Sequence, residues 1–112
     1  MIKTIVKKFR AYCDNKTNNQ QAVLLLEAAV DSVHETNTLI AWAGIVDQLY
    51  LDLLRLNYDR SASDRLRVAS VLVYIGHMIN VNEDHNLTAS ELQFAKHTII
   101  VDLTNIIENR FN

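Results

Sequence analysis

The chain has 112 residues, room for one domain and a single core. Proline is absent, glycine occurs only as Gly44 and Gly76, and eleven Lys and Arg against thirteen Asp and Glu give a net charge of −2. So few turn-formers argue against a β-sandwich or barrel, and so balanced a charge argues against a polybasic nucleic-acid arm or an acidic tail.

Residues 2–13 set Ile2, Ile5, Val6 and Phe9 at helical spacing, with Lys3, Lys7, Lys8 and Arg10 mostly off that stripe. We read a docked first helix with a solvated basic face rather than a membrane arm, because no Trp anchors the apolar side. The polar run Asp14 to Asn19 reads as a first break, with Thr17-Asn-Asn-Gln20 offering a capping box. From Gln20 to His34 the core stripe is Val23, Leu26, Val30 and Val33, and Glu27, Asp31 and Glu35 form an acidic face at i, i+4, i+8.

After the short break 34–38, residues 39–56 carry an apolar arc wider than one packing face requires. A third break covers 57–63, where Ser61-Ala-Ser-Asp64 supplies a cap. Val68 to Ile79 is apolar on nearly every side, the pattern of a helix surrounded by others, and we place it at the centre of the fold. A loop at 80–87 then leads to a last helix, 88–110. Its start carries a capping box (Thr88, Glu91) and a hydrophobic staple (Leu87, Leu92).

The expected fold is therefore all-α: a compact bundle of about five helices, four of them long, with antiparallel neighbours and no membrane span. Cys13 stands alone and no signal peptide opens the chain, so a cytoplasmic location is expected. By the same token, the sequons Asn15-Lys-Thr17 and Asn86-Leu-Thr88 read as chance matches.

Few residues suggest chemistry. Asn80, Asn82, Asp84, Asn86, Thr88 and Glu91 fall at positions 1, 3, 5, 7, 9 and 12 of a calcium-binding EF-hand loop, but His85 stands where that loop needs glycine. Asn80, Asn82, Asp84 and Glu91 are thus a weak metal candidate, and no cofactor is expected. Asp84-His-Asn-Leu-Thr-Ala-Ser-Glu91 resembles the loop-and-helix start of TerB-like tellurite-resistance domains over these eight residues, again without the glycine. Asp31 and His34 lack the second pair that a bundle metal site needs, and His77 reads as a core histidine. With no nucleophile elbow and no phosphate loop, an enzyme is not expected.

Three helices, 39–56, 68–79 and 88–110, carry more apolar surface than so short a chain covers by itself. That predicts a protein-binding module (adaptor, chaperone, or inhibitor or immunity-type factor) that also forms a homodimer, with 39–56 or 88–110 at the contact. Trp42, Tyr50 and Phe94 are the candidate anchors, with burial in the core the competing fate of Trp42. The alternative is a dimeric nucleic-acid-binding regulator that uses Arg55, Arg60, Arg65 and Arg67.

Overall fold

A computed structural model describes the backbone of residues 2–56 and 58–109, and the side chains within those ranges from residue 18 onward. Among the described residues there are four helices and no strand: α1 (Ile2–Glu35), α2 (Leu39–Arg55), α3 (Ser61–His85) and α4 (Ala89–Asn109). The connections 36–38, 56–60 and 86–88 are too short for anything but antiparallel neighbours. Contacts run α1–α2, α2–α3, α3–α4 and α4–α1, closing a ring in which α2 and α3 pack most extensively.

The count is four rather than five because the polar run 14–19 lies inside α1. Those residues include neither Gly nor Pro, and each Asn costs a helix only about 0.7 kcal/mol, so polarity there ends burial without ending the helix. The expected box at Thr17 is therefore no cap, as the helix passes through it. The side chains of the Ile2, Ile5, Val6 and Phe9 stripe, and residue 57 of the third break, lie outside the described residues.

The expected central helix is also corrected. α3 runs from Ser61 to His85, past both ends of 68–79, and it is one wall of the ring rather than its middle. Val68, Val71 and Ile75 face inward, while Val73, between them in sequence, is 73% exposed. Ser61 does not cap this helix. Arg60 is the capping residue and makes no side-chain bond there, whereas Asp64 is buried and its Oδ2 accepts a hydrogen bond from the Tyr58 hydroxyl at 3.1 Å.

Local signals do set the other ends. The Thr38 hydroxyl accepts from the Ala41 N–H at 3.2 Å and starts α2. Thr88 and Glu91 form the reciprocal box that starts α4: the Thr88 N–H donates to Glu91 Oε1 at 3.1 Å and the Glu91 N–H to Thr88 Oγ1 at 3.2 Å. α3 stops at Asn86, whose φ of 49° suits Asn better than most residues. There Asn82 accepts twice, its carbonyl from the Asn86 N–H and its Oδ1 from the Leu87 N–H, both at 2.9 Å.

Inside the ring, Leu26 and Val33 of α1 share one core with Trp42, Val46 and Leu53 of α2, Val68 and Ile75 of α3, and Ile99 and Leu103 of α4. Trp42 is 1% exposed, and its indole N–H donates to the Thr36 carbonyl at 3.0 Å, which fixes the α1–α2 turn. Two cations tie helix ends across long sequence separations. Lys96 Nζ donates to the His34 carbonyl at the end of α1 and to Asn37 Oδ1, at 2.6 and 3.1 Å, and the Arg60 guanidinium donates to the Asn109 carbonyl ending α4 at 2.6 Å.

Gly44 and Gly76 lie within α2 and α3, with no neighbouring atom within 4 Å of where a Cβ would stand. Gly44→Ala and Gly76→Ala should each raise the unfolding free energy by about 1 kcal/mol, read from the urea midpoint at constant slope. Leu103→Ala should lower it by about 2–5 kcal/mol.

Candidate protein-binding surface

The ring buries one flank of each helix and leaves the opposite flank outside. On α3 the outward flank carries Leu66 and Val73, two turns apart and 71% and 73% exposed. On α2, the flank toward α1 is Ala41, Gly44, Ile45, Gln48 and Asp52. Ile40, Leu51 and Leu54 fall on the other flank, beside the outer surface of α3, and Ile40 is 77% exposed. Counted back from the turn 56–60, Ile40 comes level with Gly76 and Leu51 with Arg65, so these side chains span the length of the α2–α3 hairpin. α4 repeats the pattern with Phe94 and Val101, also two turns apart, and Phe94 is 69% exposed. Isolated exposed apolar residues are ordinary, but a set shared across a helix pair is the mark of a contact surface.

The candidate aromatic anchors divide accordingly. Trp42 belongs to the core, Tyr50 is half-buried against it, and Phe94 stands outside. Leu66 and Val73 were not among the residues singled out in the sequence. Their spacing of seven, out of phase with Val68, Val71 and Ile75, was the available signal.

The four arginines divide: Arg60 and Arg67 both lie beside Asn109 at the end of α4, while Arg55 and Arg65 are engaged within their own helices. Arg55 is exposed and lies 3.9 Å from Asp52, and Arg60 holds the end of α4. Arg65 Nε donates to the Ser61 carbonyl at 3.3 Å. Arg67, about 200° around the helix from Arg65, lines the α3–α4 groove with Asp102, Asn105 and Asn109.

The calcium-loop spacing meets a helix instead of a loop. Asn80, Asn82 and Asp84 occupy the last turns of α3, where alternate residues point about 200° apart and cannot close on one ion. Asn82 and Glu91 are occupied at the two caps. Among the described residues no three His, Cys, Asp or Glu side chains cluster as metal ligands. His77 is exposed, not a core histidine, and Asp31 and His34 are exposed on α1. Nor is any helix, among the described residues, long and apolar enough to cross a membrane.

Comparison with family models, with curated proteins and with solved structures finds no match for the chain. The eight-residue likeness to TerB-like domains covers what is here a helix end and the next helix's cap.

The backbone N–H of Thr88 holds the Glu91 carboxyl below the usual carboxylate range, with the Thr88 hydroxyl adding to the effect and His85 contributing least. A lowered folded-state pKa adds stability above the ordinary carboxylate value, and that stability is lost as the pH falls through the folded one. Glu91→Ala should therefore lower the urea midpoint at pH 7, and the gap to the parent should close as the pH drops below about 4.

Proposed function

We propose that this chain is a non-enzymatic, cytoplasmic helical module that binds another protein on the outer face of its α2–α3 hairpin and also self-associates. The single observation that carries this reading is the exposure of Ile40, Leu66 and Val73 on one side of that hairpin. Two antiparallel helices with apolar outward flanks present ridges at the i, i+3, i+4 and i+7 spacings that a partner helix can pack against. Leu51 and Leu54 extend the apolar strip, and Phe94 of α4 is a further exposed aromatic outside it. Arg55, Arg60 and Arg65 are engaged with Asp52, Asn109 and Ser61 of this chain, and Arg67 shares its groove with Asp102, so no specific observation favours nucleic-acid binding over this reading.

Leu66→Glu combined with Val73→Glu places two charges on this strip without touching the core. The parent chain, used as bait in host extract, should retain a defined partner identified by mass spectrometry, and purified partner should bind the double variant at least a hundredfold more weakly. Arg60→Ala, Arg65→Ala and Arg67→Ala together should leave that affinity unchanged. Equal affinity of parent and double variant, with both equally helical by circular dichroism, contradicts the reading.

A further inference from the structure

Charge is spread unevenly along this chain. Residues 18–109, whose side chains the structure describes, hold twelve Asp and Glu against five Lys and Arg, a net charge of −7 where the whole chain has −2. The five cations do little to offset it. Arg60, Arg65 and Lys96 donate to the backbone carbonyls of Asn109, Ser61 and His34 rather than to carboxylates, and Arg55 lies 3.9 Å from Asp52.

Two of the unanswered carboxylates stand on the outer α2–α3 face. Asp47 is exposed midway between Ile40 and Leu54, seven residues from each and so on the same flank of α2. Its neighbours three and four residues away are Ala43, Gly44, Tyr50 and Leu51, so no cation of α2 faces it. Asp84 is exposed eleven residues after Val73, three turns on and on the same flank of α3. It sits in the last turn, where a carboxylate opposes the helix dipole, so the helix itself gains nothing from it. Neither carboxylate makes an ion pair or a hydrogen bond with another described residue. Asp47 is level with Ala69, which puts the two about 22 Å apart along the hairpin.

These positions select what can cover the strip. A wholly apolar element would take Asp47 out of water with nothing to pair it. An acidic element, a nucleic acid or an anionic lipid surface meets repulsion from it and from the net charge around it. A second copy seated on the same strip would bring Asp47 against its own counterpart, because Asp47 lies at the strip's midpoint and a two-fold axis pairs like with like. We infer that the partner element on the α2–α3 strip is a basic amphipathic helix. Its apolar stripe packs on Ile40, Leu54, Leu66 and Val73, and two Lys or Arg about four turns apart meet Asp47 and Asp84. This rests on the α2–α3 face being the binding surface, as in the proposed function, and adds the chemistry of what it binds. The two charge pairs fix the register of the bound helix and speed its encounter. Self-association then belongs to a surface other than this one.

The test is fluorescence anisotropy with two labelled synthetic peptides of about 24 residues, long enough to span the strip and reach Asp84. Both carry one leucine stripe at i, i+3, i+4 and i+7 spacing, flanked by Lys in one and by Glu in the other. The full chain should bind the Lys peptide at least thirtyfold more tightly at low ionic strength, with the preference shrinking as salt rises. Asp47→Asn with Asp84→Asn should weaken the Lys peptide at least fivefold. Glu27→Gln with Asp31→Asn, an equal change of charge placed on α1, should alter it less than twofold. Leu66→Glu with Val73→Glu makes the chain more acidic yet should abolish binding, the opposite of what bulk charge attraction would do. Circular dichroism verifies the fold of each variant. Equal losses from the two carboxylate pairs, a parent that prefers neither peptide, or a parent that binds neither overturns the inference. So does Lys-peptide binding that survives in Leu66→Glu with Val73→Glu, which assigns the attraction to bulk charge. If in any of these cases that variant still loses the partner drawn from host extract, the α2–α3 face stands as a binding surface for a partner of another chemistry.

Discussion

A ring of four helices can cover only the flank each helix turns inward, and this chain has apolar side chains on more than that flank. The physics of the interior is ordinary: Leu26, Trp42, Leu53, Ile75, Ile99 and Leu103 share one buried apolar core, and the helix ends are closed by Lys96, Arg60 and the Thr88–Glu91 box. The outside is not what a solitary bundle needs. Ile40, Leu66, Val73 and Phe94 each remain largely in water, where each fully buried aliphatic or aromatic side chain would gain about 1.5–3 kcal/mol. Any partner that covers them gains that stabilisation, whereas the isolated fold does not need it.

The α2–α3 strip is apolar and short, suited to a partner element lying along the hairpin.

Much of the fold was legible where its cause is local. Thr38 and the Thr88–Glu91 pair announce helix starts because a hydroxyl or carboxylate meets an N–H three residues away, a relation written directly in the sequence. Leu26 and Val33 of the expected α1 stripe are buried, but Ala22 and Ala29 take the buried places expected of Val23 and Val30, because period alone does not say which edge of an apolar arc faces in. What was missed has a physical pattern of its own. The polar run 14–19 looked like a break because polarity marks the end of burial, but with neither Gly nor Pro in it the helix continues through. The same error placed a loop at 80–85 and with it a calcium geometry that a helix cannot form. The apolar run 68–79 looked surrounded because a continuous run hides its phase, and Val73 faces water. The bonds of Arg60 and Lys96 join residues 49 and 62 apart in sequence, so no local pattern marks them.

The account stands on the outward methyl groups of the isolated chain being in contact with water. Paramagnetic relaxation by a soluble gadolinium chelate, measured on methyl-labelled protein at micromolar concentration, reads this directly. The account predicts strong relaxation of Ile40, Leu66 and Val73 beside weak relaxation of Ile75, Ile99 and Leu103. Equal protection of both sets in the lone chain would contradict it.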